Sequence, residues 1–240
     1  MKKIILTIIM AALAAGVAHA ADVSIGADVA SAYVFRGATF NDGLVVQPTA
    51  EISGFPILEE YGALAIGMWA NFDIGDYGGT LDNNQFSEVD YYLTYSLPIS
   101  VLDVGVGYTE YTYPNGGGDA DREIGLSLGK GIGDTGLYPY FNAYYGVDGG
   151  VDGVSYLQGG LAYEVSVTEA LSLSADISAA YTAGGDEDGW NDATSSLGAS
   201  YAICSNLTLS ASVTYVAELD DDVLETDTQL YGTVGVSYDF

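Results

Sequence analysis

Basic residues are almost missing from this sequence. Lys and Arg occur five times in 240 residues and Asp and Glu 33 times, which gives a formal net charge of −28 at pH 7. Such a charge repels phosphate chains, so nucleic acid is excluded as a partner. The chain is nevertheless 49% hydrophobic and 12% aromatic, unlike a disordered acidic chain. Charged and apolar side chains must therefore be segregated in a folded structure.

Cysteine and histidine each occur once. Cys204 has no second cysteine to pair with, so no intramolecular disulfide can form. His19 is the only histidine, and we expect it to be removed with a leader segment. Without histidine, Ser-His-Asp, Cys-His and His-metal sites cannot be built, and the barrel phospholipases and proteases that need one are disfavoured. We predict that the chain is not an enzyme and carries no cofactor.

Long apolar runs are confined to the N-terminus. The run from Ile4 to Val17 follows Lys2 and Lys3 and precedes Ala18-His19-Ala20, a pattern typical of a cleaved signal peptide. No later stretch reaches the ~18 apolar residues that a transmembrane helix needs. We predict a signal peptide over 1–20 and one exported domain over 21–240. If that domain enters a membrane, it must do so as strands.

Alternation with a period of two residues runs through nearly all of the remaining chain and predicts β-strands. In one such segment Leu207, Leu209 and Val213 share an apolar face, whereas Thr208 and Ser210 fall on a polar face. We predict twelve strands, which cover 22–36, 44–55, 61–74, 86–97, 101–113, 122–130, 136–147, 154–165, 171–182, 193–203, 207–217 and 228–240.

Connection lengths and aromatic positions distinguish a membrane barrel from a soluble sandwich, which also alternates. Short turns follow the even-numbered predicted strands, and longer acidic loops follow most odd-numbered ones, an asymmetry typical of outer-membrane barrels. Aromatic residues on the apolar face fall near strand ends and predict two interfacial rings. Those near the loops are Phe35, Phe72, Tyr108, Tyr145, Tyr181 and Tyr215, and those near the turns are Phe55, Tyr95, Tyr163, Tyr201 and Tyr238.

The last strand ends in an aromatic pattern. Gly235, Tyr238 and Phe240 match the terminal signal that the barrel-assembly machinery reads in outer-membrane proteins, although an ordinary last strand is the alternative. Closing the sheet removes the unpaired backbone edges that hydrocarbon would not tolerate. We therefore predict an all-β, closed antiparallel transmembrane β-barrel of about twelve strands in the bacterial outer membrane.

Inward positions of such a barrel carry many small residues, which favours a cavity or narrow pore. The predicted pore-lining residues are Asp28, Arg36, Glu51, Trp69, Asp90, Tyr92, Tyr140, Tyr144 and Asp176. Carboxylates in the lumen favour cations. The alternative is that these acids are merely solvated or hydrogen-bonded to Tyr hydroxyls. Arg36, placed on the first strand, is expected to pair with Glu51, because a buried charge needs a partner.

Two acidic loops have carboxylates spaced as in calcium-binding loops. They contain Asp186, Asp188 and Asp192, and Asp220, Asp221 and Asp222. The full EF-hand pattern is missing, which favours solvated acidic loops over metal binding at these positions.

The segment from Ala27 to Gly37, ending in Tyr33-Val34-Phe35-Arg36-Gly37 and followed by Gln47-Pro48, resembles the start of the TorF-type porin family. The resemblance covers less than a fifth of the chain. It implies an outer-membrane barrel of this length and a porin, without naming a solute or a catalytic residue.

We predict an outer-membrane porin that forms a narrow, cation-preferring aqueous pore for small polar solutes. The alternative is a non-conducting structural or adhesive surface barrel that acts through its acidic loops. Expected partners are outer-membrane lipid and lipopolysaccharide, the barrel-assembly machinery, and small polar or cationic solutes.

Overall fold

The computed structural model describes residues 21–55, 59–75, 83–116, 118–224 and 226–240. The predicted signal peptide lies outside the described residues. Fourteen strands are formed: β1 (Asp22–Ala30), β2 (Tyr33–Phe35), β3 (Ala38–Asn41), β4 (Val45–Ser53), β5 (Ala63–Asp73), β6 (Gln85–Leu97), β7 (Asp103–Thr112), β8 (Asp121–Gly129), β9 (Leu137–Asp148), β10 (Ser155–Ser166), β11 (Leu171–Ala183), β12 (Gly189–Cys204), β13 (Leu207–Glu218) and β14 (Leu230–Asp239). Two short 3-10 turns cover Glu59–Tyr61 and Gly149–Val151.

Twelve of these strands, β1 and β4 to β14, form one closed antiparallel barrel. β1 pairs with β4, and from β4 onward each strand pairs with the next one in the chain. β1 closes the ring by pairing with β14, with Ser24 opposite Asp239 and Ala30 opposite Thr233. The predicted fold class and strand number are confirmed. No helix among the described residues is long and apolar enough to cross a membrane.

The outer face of the barrel is apolar and exposed. Leu197 is 63% exposed, Val234 62% and Ile177 59%, and together with the other exposed large hydrophobic side chains of the strands they form a far larger apolar surface than the scattered residues of an ordinary protein surface. The inner face carries the polar side chains of the same strands. This separation follows from the strand period, because successive side chains point to opposite faces of a sheet.

The two ends of the barrel differ as predicted. Turns such as 205–206 and 167–170 lie at the end that also holds both termini, and longer connections such as 219–229 and 31–44 lie at the other. Aromatic side chains of the outer face lie near the strand ends. Tyr108 and Tyr145 flank Ile124 in register on the outer face, where all three are exposed.

The first predicted strand is wrong in its second half. We expected one strand over 22–36, but β1 ends at Ala30 and the chain then turns into a separate two-stranded hairpin of β2 and β3. Tyr33 is only 5% exposed, and Phe35 packs against the small core formed by Ala30, Tyr33 and Val45. Both rings therefore lie inside the barrel, and Phe35 does not belong to the predicted outer aromatic ring.

Candidate functional site

The β2–β3 hairpin is the central feature of the lumen. Its tip is the two-residue turn Arg36-Gly37, with φ of 50° and 81°. Positive φ at both positions is the geometry that two-residue hairpin turns favour, because its twist matches that of the flanking strands. Asn-Gly is the usual sequence there, and Arg rarely adopts positive φ. The turn itself therefore does not explain the presence of Arg at position 36, and the contacts of its side chain must.

One wall of the barrel, formed by β5 and β6, holds the base of the hairpin. The Tyr33 hydroxyl donates to Glu88 at 2.8 Å, and the Tyr33 ring lies 5.3 Å from that of Trp69. Burial raises the pKa of the Tyr33 phenol, and the charge of Glu88 raises it further, so the phenol keeps its proton. In β3, the Asn41 amide donates to Asp73 at 2.7 Å.

The next strands around the barrel, β7 to β10, hold the tip. Nη1 and Nη2 of Arg36 donate to the two oxygens of Glu123 at 2.7 Å and 2.8 Å, and the Tyr111 hydroxyl donates to the same carboxylate at 2.8 Å. Cζ of Arg36 lies 4.5 Å from the ring centre of Tyr144 and 4.7 Å from that of Tyr156. This bidentate pair is a strong, directional ion contact, and the rings add cation–π attraction.

Further contacts join the hairpin to the remaining sides of the barrel. Asn191 of β12 donates its amide to the backbone oxygen of Arg36 at 2.8 Å. The Thr39 hydroxyl lies 3.2 Å from that of Thr226, and it accepts from the Thr228 backbone N–H at 3.0 Å. The hairpin thus crosses the lumen and is held on several sides, which makes it the constriction of the barrel.

A cavity of about 940 Å³ adjoins the hairpin and extends toward the short-turn end, where Ser96 and Gly105 line it. Five of the predicted lumen residues line this cavity, namely Arg36, Trp69, Asp90, Tyr92 and Tyr144. The predicted pairing of Arg36 with Glu51 is wrong, because Arg36 lies on the hairpin and reaches across to Glu123. Sequence reasoning placed Arg36 on the barrel wall beside β4.

The other four predicted lumen residues lie elsewhere on the inner wall. Glu51 accepts from Tyr92 at 3.0 Å, and Asp176 accepts from Tyr140 at 3.0 Å. Tyr140 lines a second cavity of about 640 Å³ near the short turns. Asp28 lies opposite Gly235 of β14, where a side chain in place of glycine would collide with its carboxylate.

Pairing of a carboxylate with a tyrosine hydroxyl recurs around the lumen. Besides the pairs of Glu88, Glu123, Glu51 and Asp176, the Tyr156 hydroxyl donates to Asp192 at 2.9 Å. Each tyrosine hydroxyl is a neutral donor that satisfies one oxygen of its carboxylate. These contacts fit the alternative interpretation of the inward acids as hydrogen-bonded to Tyr hydroxyls. Asp90 keeps a buried oxygen, Oδ1, for which the described residues supply no hydrogen bond.

The acidic loops do not form the first of the two weakly suggested metal sites. Asp192 is 1% exposed and accepts from Tyr156, Asn191 and Thr194, whereas Asp186 and Asp188 are exposed and Asp188 accepts from the Gly184 backbone N–H. Among the described residues, oxygens of three acids converge within 4.8 Å only at Asp220, Asp221 and Asp222, where two of the three are exposed.

The residues suggested as an assembly signal lie in and beside the closing strand. Tyr238 and Phe240 are exposed, with ring centres 4.8 Å apart, and the Phe240 backbone N–H donates to the oxygen of Val23 at 2.9 Å. Recognition by assembly machinery stays a prediction.

Sequence reasoning missed several important side chains. Glu123 was not identified as the partner of Arg36, and Asp192 was placed in a loop. Tyr111, which shares Glu123, was not singled out. One signal could have found the hairpin: the fifteen residues predicted for the first strand exceed the ~9–11 that span a bilayer.

A closed antiparallel barrel with an apolar outside, a polar lumen, short turns at one end and long loops at the other is the architecture of outer-membrane β-barrels. Solved structures agree with this class. An outer membrane channel from Pseudomonas putida F1 superimposes with a TM-score of 0.60 at 8% identity, over 92% of this chain and 96% of that one. The KdgM porin, solved with disordered oligogalacturonate, gives 0.53 at 13% identity over 91% and 99%.

The fold is also compatible with an enzyme. Outer membrane phospholipase A from Escherichia coli superimposes with a TM-score of 0.51 at 15% identity, over 90% of this chain and 92% of that one. No family model and no curated protein matches the sequence. At these identities the similarity establishes the outer-membrane barrel fold, and function must be argued from the lumen.

Proposed function

We propose that this protein is a porin of the bacterial outer membrane, exported by its signal peptide, that admits small polar solutes through a narrow pore constricted by the β2–β3 hairpin. The observation that carries the proposal is the cavity of about 940 Å³ inside a closed barrel. A barrel that served only as a packed scaffold would fill this space with side chains, as barrels of about eight strands do.

The charges around the cavity favour cations. Arg36 is the basic residue that lines it, and Glu123 compensates that charge. Asp192 lines the same cavity without a basic partner among the described residues, and Asp176 and Glu51 lie on the inner wall with tyrosine partners only. A lumen with uncompensated carboxylates attracts cations and repels anions.

The proposal includes the surroundings of the barrel. The exposed aliphatic side chains of the outer face, such as Leu197 and Val234, suit lipid tails. The exposed acidic loops suit divalent ions that bridge to lipopolysaccharide phosphates, and the closing strand suits recognition by the barrel-assembly machinery. The segment that forms β1 and the hairpin resembles the start of the TorF-type porins, and this resemblance supports the same function.

One observation favours a second candidate, a non-conducting structural or adhesive barrel. The hairpin contacts several barrel strands through buried or half-buried hydrogen bonds, including those of Tyr33 with Glu88 and Arg36 with Glu123. If these contacts close the lumen, the acidic loops would carry the function instead. An enzyme is disfavoured because His19 is the only histidine.

Planar-bilayer recording tests the proposal. Protein refolded in detergent, with folding checked by heat-modifiable gel mobility, is added to a bilayer under a KCl gradient. Discrete conductance steps with a reversal potential displaced toward that of K⁺ are expected. A displacement toward the chloride potential would overturn the cation preference. Folded, inserted protein that gives no conductance would overturn the porin proposal in favour of the second candidate.

A further inference from the structure

The binding site of the Arg36 guanidinium has the features of a site for a free organic cation. Two carboxylate oxygens of Glu123 face its planar edge, and rings of Phe35, Tyr144 and Tyr156 lie within 4.8 Å of Cζ, measured to their centres. A carboxylate that pairs with the edge of a guanidinium group recognises its charge. Aromatic rings that pack on the faces of the group recognise its planar shape.

This site opens on the cavity. Arg36, Glu123, Tyr144 and Tyr156 all line the space of about 940 Å³ through which we propose that solutes pass. Glu123 itself is 4% exposed, and the Arg36 side chain is 18% exposed. A solute in the cavity therefore reaches the guanidinium edge, whereas bulk water has little access to the carboxylate behind it.

The backbone shows that the chain gives up turn stability to place this side chain here. Arg36 has a φ of 50° in a turn where Asn or Gly would be unstrained. A residue held in this region costs free energy that the surrounding contacts must offset. The contacts of the Arg36 side chain thus explain the residue at this position. The groups that bind it, Glu123, Tyr144 and Tyr156, belong to the barrel wall and not to the turn.

We propose that the Glu123–Tyr111–Tyr144–Tyr156 site binds guanidinium groups of small solutes, and that Arg36 is an internal occupant that competes with them. The proposal rests on the proposed function only in requiring that small solutes enter the lumen. Because Arg36 is tethered beside the site, its effective concentration is at least in the millimolar range, so free guanidinium compounds bind the native protein weakly.

Arg36→Asn is the variant that tests the site, because it removes the guanidinium and produces the Asn-Gly sequence that two-residue hairpins favour. The probe is methylguanidinium, observed through its methyl resonance in NMR titrations of the detergent-folded protein, at concentrations far below those that denature. Saturable binding to Arg36→Asn is expected, at least about tenfold tighter than to the native protein. Methylurea, which has the same shape without charge, should not bind.

Two further variants locate the binding. Arg36→Asn combined with Glu123→Gln should bind methylguanidinium at least about tenfold more weakly than Arg36→Asn alone, because the charged hydrogen bonds are lost. Arg122→Asn is the matched control: Arg122 pairs with the carboxylates of Glu110 in β7 and Asp148 in β9, and its side chain is about twice as exposed as that of Arg36. It should show no gain over the native protein.

Failure of the proposal is distinct from failure of the porin function. Heat-modifiable Arg36→Asn protein that shows no saturable binding, or that binds methylurea equally well, would overturn it. So would binding that Glu123→Gln leaves unchanged. These titrations require no ion flow, so a barrel that gives no conductance can still confirm the site, and a conducting barrel can still refute it.

Discussion

Arg36 and Glu123 are separated by 87 positions in sequence, yet they form a bidentate ion pair across the lumen at 2.7 Å and 2.8 Å. The pair joins the tip of the hairpin to the wall strand β8. Since Glu123 is almost fully buried, the carboxylate depends on Arg36 and Tyr111 for compensation of its charge. This pair therefore holds the tip of the hairpin, whereas other contacts hold its base.

Glu123→Gln is expected to weaken docking of the hairpin by about 3 kcal/mol, because the variant leaves Arg36 buried without an anionic partner. Faster hydrogen exchange over Tyr33–Asn41 and larger or noisier single-channel conductance should follow. Arg122→Gln removes a more exposed ion pair and should change neither. Unaltered exchange in Glu123→Gln would mean that the other hairpin contacts suffice.

Tyr33→Phe tests the base of the hairpin. Removing the hydroxyl leaves the buried Glu88 carboxylate without its donor, at a cost of about 1–3 kcal/mol in the free energy of unfolding. Urea titration of the protein folded in lipid vesicles measures the change. Tyr138→Phe is the control, because that phenol and its partner Asp103 are exposed, and a change within about 0.5 kcal/mol is expected. Equal losses for the two variants would contradict the docking geometry.

Leu197 and Ser196 test which face of β12 meets lipid. Leu197→Arg places a charge in the apolar band near the middle of the strand and should destabilise the barrel in vesicles by about 2–4 kcal/mol. Ser196→Arg places the same charge opposite Asp176 on the inner face, where water and a carboxylate receive it. Similar losses for both variants would argue against a lipid-facing exterior.

Asp176→Asn tests the origin of cation preference. Loss of one lumenal carboxylate should move the reversal potential toward zero, more at low salt than at high salt, because ions screen the charge. The measurement is the reversal potential in a KCl gradient at two ionic strengths. Asp221→Asn, in the exposed connection before β14, should have a smaller effect. A larger effect from Asp221 would assign selectivity to the loops.

The barrel could be predicted from sequence because the alternating pattern that defines each strand lies within that strand. Side chains of each strand alternate between lipid and water, so segments such as Leu207–Glu218 are recognisable individually. Their number and the connection lengths then determine that the sheet can close. Twelve barrel strands were predicted and twelve are present.

The hairpin could not be predicted in the same way. Tyr33 and Phe35 keep the apolar parity of β1 after a single interruption at Ser31, so the pattern gives no clear boundary at Ala30. The side chains that make the interior favourable for them, Glu88, Trp69 and Tyr111, lie on strands far away in sequence. Alternation identifies which residues share a face but not whether that face meets lipid or a lumen.

The pairing of Arg36 with Glu123 was beyond reach for a related reason. A partner on β4 follows only if Arg36 stays on the barrel wall, where Glu51 is nearby. Because β1 ends at Ala30, Arg36 lies at the tip of the hairpin, and its side chain reaches β8, a strand far from it in sequence. Long-range contacts of this kind depend on the path of a loop, and local propensity does not encode that path.

Closure of the ring by β1 and β14 has a kinetic consequence. Ser24 and Asp239 are neighbours in register although almost the entire chain separates them. Contacts of such large sequence separation form late and slowly, since the entropy of a very long loop must be lost first. Until Leu230–Asp239 docks, the sheet has two unpaired edges, and either can pair with another molecule. At high protein concentration, molecules whose barrel has not yet closed are therefore expected to aggregate edge to edge during refolding. Dilution should raise the folded yield.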